Sequence, residues 1–328
     1  MDAPVSRRLG VHVGRGAAAY GFTRGTLPGG GHLLTAQRFD AYWAELERRG
    51  LASAVVPLDA EPAPEAELLR FHTAAYLREL TARCAQGTGA LDTSGATPAE
   101  PQLPAAGAAV VGAVLDAARR VGAGELARAY VPIAGFHHAW PDHARAYCVL
   151  NDAGVLIRAL RAQGYARVAY VDIDVHLGDG VVGPLVDEPG LLMVDVHQLA
   201  GTFWYSSFAR DEAPEPPPSA WHVLRALPPR ADDAQFFALW AEASARLEAF
   251  APDFVVLNAG VDSLAGDRLG GLLLTPVVHH HVVRALAALA DRTAEGRLVV
   301  LGGGGYGTDR AARGWCEVTA ALLATLAP

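Results

Sequence analysis

Four short clusters in this 328-residue chain combine side chains that bind metals or move protons. The first is Asp172-Ile-Asp174-Val-His176-Leu-Gly-Asp179. In an extended segment alternate residues share a face, so Asp172, Asp174 and His176 project together. A carboxylate and an imidazole that close can share one divalent cation. Zinc suits this donor set, with nickel, iron(II) and cobalt as alternatives. A strand end whose acids cap the next helix is the ordinary structural alternative. The second cluster is Gly135-Phe-His137-His138-Ala139. Adjacent histidines point apart on a regular element, but in a loop they can flank a reacting water, one taking its proton and the other donating to the leaving group. An interior histidine beside an exposed one would account for the pair equally well.

The third cluster, DSLAGDRLG at 262–270, offers an acid in a glycine-containing loop that could complete a three-ligand site. A turn in which Asp267 caps backbone amides is its alternative. The fourth is GGGGYG at 302–307, which satisfies GxGxxG. No strand follows it to carry a ribose-binding acid, and no GK[ST] accompanies it, so a nucleotide loop is disfavoured. The glycines could instead turn the chain sharply and present the Tyr306 hydroxyl to a developing oxyanion. A packing tyrosine in an ordinary turn is the alternative. The run His279, His280, His281 carries less weight, because successive helical positions are about 100° apart and cannot converge on one ion. These three are expected on the surface or partly buried. His32, His72, His143 and His222 show no metal-type pairing.

Something must gather these distant clusters. Short β-branched runs at 52–58, 129–133, 167–174, 191–197, 253–259 and 298–301 alternate with helical patterns at 38–49, 67–84, 107–121, 152–162, 233–250, 276–292 and 310–326. Asn151 or Asp152 can cap one helix, and Thr275 before Pro276 starts another. Such alternation predicts an α/β fold, a single-domain open parallel β-sheet with helices on both faces. The strands are apolar until their C-terminal ends, where the polar residues appear. Ligands of open parallel sheets bind beyond those ends. The acidic, proline-rich stretch at 211–219 and the irregular 87–104 read as loops that could overhang the site.

Composition narrows the class. Hydrophobic residues make up 51% and charged residues 19%, enough for a large core and against disorder. The net charge is −8 and no basic run exists, which argues against direct nucleic-acid binding. All basic residues are arginine, and Cys84, Cys148 and Cys316 form no CxxC pair. Apolar runs are too short to span a bilayer and no signal-peptide pattern is evident, so a cytoplasmic protein is expected.

Each cluster is ambiguous alone; their order and spacing together are not. GFHHA at 135–139, YCVLND at 147–152, VDIDVHLGDGV at 171–181, DSLAGDRLG at 262–270 and GGGGY at 302–306 resemble the histone deacetylase family, including its bacterial acetoin-utilisation and acetylpolyamine-amidohydrolase relatives. Weaker similarity runs from about Gln37 to the C-terminus. The resemblance implies the arginase–deacetylase fold and one catalytic zinc held by Asp174, His176 and Asp267. It implies His137 and His138 as the catalytic pair, with Asp172 and Asp179 as their carboxylate partners and Tyr306 facing the scissile carbonyl. Tyr147 with Phe203 or Trp204 would line the substrate tunnel, joined by Leu274 and Gly304. Asp92 would be a rim acid and Arg38 would line an inner channel. The implied reaction is hydrolysis of an acylated amine, either an acyl-lysine peptide or protein or a small acylated amine. No membrane partner is implied, and an oligomer is compatible.

Three positions depart from the family pattern. Leu177 stands where a second histidine is usual. Asp195 replaces a small hydroxyl residue near a structural potassium (K+) site. The loop QLAGTFWYSS at 198–207 lacks the FPGTG run. These put substrate choice in question rather than the reaction. A binuclear-manganese ureohydrolase of the arginase group would need a carboxylate where Gly178 stands. A catalytically silent binder would have lost a ligand, Tyr306 or a catalytic histidine, and all are present.

Overall fold

A computed structural model of the chain describes residues 8–24, 27, 33, 35–203 and 219–326. The β-branched runs form strands: β1 Leu9–His12, β2 Val55–Leu58, β3 Arg128–Val131, β4 Val168–Asp172, β5 Leu191–Gln198, β6 His222–Leu227, β7 Phe254–Asn258 and β8 Leu298–Leu301. They make one sheet in the order β2-β1-β3-β8-β7-β4-β5-β6, with every adjacent pair parallel. The expected open parallel sheet is therefore what the chain builds. The central strands β3, β4, β7 and β8 are buried along their whole length, because helices cover both faces.

Those helices are α1 Arg15–Ala18, α2 Thr35–Arg48, α3 Glu65–Leu68, α4 Ala74–Gln86, α5 Leu103–Gly122, α6 Asp152–Ala162, α7 Asp179–Leu185, α8 Asp233–Phe250, α9 Pro276–Thr293 and α10 Thr308–Ala324. Helices α5 and α6 pack together, α5 over β3 and β8 and α6 over β4. A second group runs from α8 through α9 and α10 to α2. Local chemistry sets their ends. Asn151 accepts from the Gly154 N–H and Thr73 from the Tyr76 N–H, while Asp232 and Gln235 close a reciprocal capping box.

The expected strand at 52–58 begins as a 3-10 turn, Ala52–Ala54. The helix expected over 67–84 breaks into α3 and α4, because the chain turns at 69–73 and Thr73 starts a new cap. β1 and β6 were not expected. LGVH is four residues long and contains a glycine, and HVLRAL is an edge strand with a half-exposed arginine. Among the described residues no helix is long and apolar enough to cross a membrane.

Candidate active site

The sheet order puts β3, β8, β7 and β4 side by side, so the loops beyond their C-terminal ends converge. The loop after β3 carries His137 and His138. Its start is held by Asp152, whose two oxygens accept the Gly135 and Phe136 N–H groups at 2.8 and 2.7 Å. Asp152 thus shapes the histidine loop while Asn151 does the capping. Gly135 has φ +91°, and a Cβ there would collide with Asn258 Oδ1 and the Gly303 backbone.

Both imidazoles are buried and each donates from Nδ1 to a carboxylate: His137 to Asp172 at 2.8 Å, His138 to Asp179 at 2.6 Å. Their Nε2 atoms lie 3.1 Å apart. Asp172 Oδ2 also accepts the Tyr170 hydroxyl at 2.6 Å and Asn258 Nδ2 at 3.1 Å, and its Oδ1 accepts the Asp174 N–H at 3.0 Å. Burial opposes charge on His137, but Asp172 and Asp174 override it and raise its pKa to about 10. Burial and the charge on His137 lower His138 to about 4, against the pull of Asp179. The pair is therefore split into one cationic and one neutral ring.

Beyond β4, Asp174 and His176 face a third buried acid, Asp262, from the loop after β7. Ligand atoms of these three lie within 4.8 Å of one another. Asp174 Oδ1 is 3.1 Å and Asp262 Oδ2 3.4 Å from His176 Nδ1. Asp262 Oδ2 is buried and makes no hydrogen bond among the described residues. Burial, then the Asp174 charge, push the Asp262 carboxyl up to about 7. Buried acids that repel one another and leave an oxygen unpartnered form a donor set suited to a divalent cation.

Asp267 is 8% exposed, and burial raises its pKa. Its Oδ1 accepts the Leu269 N–H and its Oδ2 the Tyr306 N–H, each at 2.8 Å. The expected trio of Asp174, His176 and Asp267 lies on the loops beyond β4 and β7, while the cluster whose ligand atoms lie within 4.8 Å holds Asp262 in place of Asp267.

The glycine run packs backbone against these acids. Gly304 N–H donates to Asp174 Oδ2 at 2.7 Å, and a Cβ at Gly304 would overlap Asp262 Oδ2. Carboxylates fill the place a pyrophosphate would need. Tyr306 is half-buried and shares a pocket with Arg38, His137, His138, Tyr147 and Asp174. Buried Arg38 donates to the Gly305 carbonyl at 2.6 Å.

Phe203 is buried and stacks on His176 with ring centroids 4.9 Å apart; Trp204 lies outside the described residues. Leu274 is buried and its carbonyl accepts the Ala265 N–H. Asp92 lines an outer pocket with Ser94, His143 and Arg145. Its carboxylate takes the Ala146 N–H at 3.1 Å and the Thr97 hydroxyl, and so braces the turn that carries Tyr147. Asp195 is engaged by the Gly178 N–H at 2.9 Å and His197 Nδ1 at 2.8 Å, and Leu177 is buried.

Several contributors were not assigned from sequence: Tyr170, Asn258, Asp152 and Arg145. The histidine run also needs correction. His279 is fully buried, and its Nε2–H donates to the Gly260 carbonyl at 2.9 Å, beneath the Asp262 loop. Only its place on the inner stripe of α9 could have signalled this.

Fold and site together define an α/β protein with a buried acid–histidine cluster that could hold a metal ion beside a carboxylate-backed histidine pair. A model of the histone deacetylase domain matches residues 32–322, and the chain belongs to the histone deacetylase family. It is 31% identical over 305 residues to the probable histone deacetylase 19 of Zea mays, covering 90% of this chain and 58% of that one. It is 32% identical over 269 residues to the histone deacetylase-like amidohydrolase of Pseudomonas aeruginosa, covering 80% and 69%. To the acetoin utilization protein AcuC of Bacillus subtilis it is 27% identical over 224 residues, covering 68% and 58%. The chain spans only 39% of the histone deacetylase 6 of Arabidopsis thaliana, to which it is 35% identical over 191 residues. The crystal structure of the HDA15 HD domain superposes with a TM-score of 0.81 at 23% identity, covering 97% of this chain and 90% of that one, a likeness of fold.

Proposed function

We propose that this chain is a zinc-dependent amidohydrolase that removes an acyl group from an acylated amine, an acyl-lysine side chain or a small amine. One observation carries the reading: two carboxylate-backed imidazoles, with Nε2 atoms 3.1 Å apart, open on the pocket that also holds Tyr306 and Asp174. That arrangement manages protons at one point. His138, neutral and donating from Nδ1 to Asp179, presents Nε2 as the basic atom that takes a proton from water and returns it to the leaving amine. His137, charged and fixed by Asp172, offers positive potential beside the same point. The Tyr306 hydroxyl donates to the tetrahedral oxyanion, a contact of a kind worth about 2.7–4 kcal/mol. Tyr147 and Phe203 wall the approach for an alkyl chain.

A zinc ion held by this cluster would supply Lewis acidity to the amide carbonyl. We assign Asp174, His176 and Asp267 as its ligands, with Asp262 directly behind them. Each Asp267 oxygen accepts one backbone N–H and keeps a second lone pair, and this residue sits on the Tyr306 side of the loop. A structural potassium, if bound, belongs beside Asp195.

The test is hydrolysis of acylated lysine peptides and acetylated polyamines by zinc-loaded protein, with and without a chelator. We expect chelator-sensitive cleavage, and Tyr306→Phe should keep its zinc but lose on the order of 100-fold in turnover. No cleavage of any substrate with zinc demonstrably bound would overturn the proposal, and Tyr306→Phe at full turnover would place the oxyanion donor elsewhere.

A further inference from the structure

Asp179 is buried to 1% exposure and has three side-chain partners, two hydrogen-bond donors and one ion-paired guanidinium. His138 Nδ1 reaches its Oδ1 at 2.6 Å, while Arg145 Nε at 2.8 Å and Trp140 Nε1 at 3.4 Å reach Oδ2. The indole hydrogen bond is long, whereas the guanidinium forms a close, largely buried ion pair, so Arg145 is the partner whose charge holds the second oxygen. Its side chain is only 17% exposed and comes from a rigid segment. Arg145 and Cys148 exchange backbone hydrogen bonds at 3.0 and 2.8 Å across a two-residue turn, in which Ala146 and Tyr147 both have positive φ.

That turn is tied down from three sides. Asp92 accepts the Ala146 N–H, Thr97 accepts the Tyr147 N–H at 2.9 Å, and the Tyr20 hydroxyl donates to the Tyr147 carbonyl at 2.7 Å. An arginine delivered this way does not swing freely. With Oδ2 occupied by a permanent cation, Oδ1 is left to His138, which pins the Nδ1–H tautomer and turns Nε2 into the pocket.

We propose that Arg145 is a positioning residue for His138: the guanidinium clamps Asp179 so that His138 keeps its proton-transfer geometry, and the shared turn links this clamp to the tunnel wall at Tyr147. The proposal rests on the amidohydrolase reading for its kinetic consequence, but not for the clamp itself.

The experiment compares zinc-loaded wild type, Arg145→Ala and Arg145→Lys in kcat, KM and zinc content. It adds the low-field proton NMR resonance of the His138–Asp179 hydrogen bond, assigned by its loss in His138→Ala. In Arg145→Ala we expect kcat to fall about 10- to 100-fold with KM and zinc content unchanged, the resonance to broaden or shift, and added guanidinium to restore part of kcat. Arg145→Lys should lie between, since an ammonium lacks the planar fork. Unchanged kcat, or a loss confined to KM, overturns the proposal. If the wild type hydrolyses nothing, the amidohydrolase reading has failed by itself, and the resonance alone then decides: unchanged in Arg145→Ala, it overturns the clamp. Should Arg145→Ala not fold, Arg145→Lys and Arg145→Gln carry the same readouts.

Discussion

Asp262 and Asp267 leave the same loop and meet the cluster in different ways. Asp262 accepts the Val175 N–H at Oδ1, 3.0 Å, and holds Oδ2 3.4 Å from His176 Nδ1 without a hydrogen bond, whereas Asp267 is bound through both oxygens to backbone near Tyr306. Replacing each acid by asparagine removes one negative charge at nearly constant shape. With Asp267 as ligand, Asp267→Asn strips zinc from the purified protein and Asp262→Asn weakens its hold about 10- to 100-fold. Zinc retained in Asp267→Asn but lost from Asp262→Asn would move the ligand assignment to Asp262. The acids and histidines of this site were legible because their types are rare inside apolar surroundings and their period-two spacing is explicit. Arg145 was not, because an arginine between two alanines looks like a solvated side chain until α7 brings Asp179 to it. Asp152 was read as a possible cap because its position before a helix invites that, yet its oxygens go to the Gly135 loop.

At the scale of elements, the turn at 145–148 is the most informative piece. Left-handed backbone at non-glycine residues costs roughly 1–2 kcal/mol each, and such outliers persist where the surroundings over-determine them. Here Asp92, Thr97 and Tyr20 supply that over-determination, and what they hold is the placement of Tyr147. Ala146→Gly should therefore leave thermal stability unchanged or raise it slightly, in place of the usual loss for glycine of about 0.5–1 kcal/mol. A clear fall in Tm on calorimetry would mean that the alanine carries no such strain. Sequence periodicity located the long amphipathic helices and the apolar central strands well, since burial on both faces demands continuous apolar runs. It missed β1 and β6 because short edge strands and a glycine-containing tetrapeptide carry little pattern, and it fused α3 with α4 because a change of direction at 69–73 leaves the hydrophobic spacing intact.

Over the whole molecule, acid sensitivity should come in part from a histidine away from the candidate site. His72 is buried, its Nε2 accepts the Asn151 N–H at 2.9 Å, and burial lowers its pKa from 6.5 to about 4. The unfolded chain therefore binds this proton first: the stabilisation is complete above pH 6.5 and is lost as pH falls from 6.5 towards about 4. The effect is on the order of 3 kcal/mol at most. Thermal melts from pH 7 to pH 4.5 should show a falling Tm, with a shallower slope in His72→Gln; parallel slopes would exonerate His72. The sheet order has a different implication, for the birth of the protein. The last strand of the chain, β8, is inserted at the middle of the sheet between β3 and β7. Until residues 298–301 are available, the nascent chain can form only two half-sheets, β2-β1-β3 and β7-β4-β5-β6, each ending in a bare apolar edge. The histidine loop belongs to one half and the clustered acids to the other. Joining the two halves thus waits for β8, a long-range closure of the kind that folds slowly and leaves apolar edges exposed in the meantime.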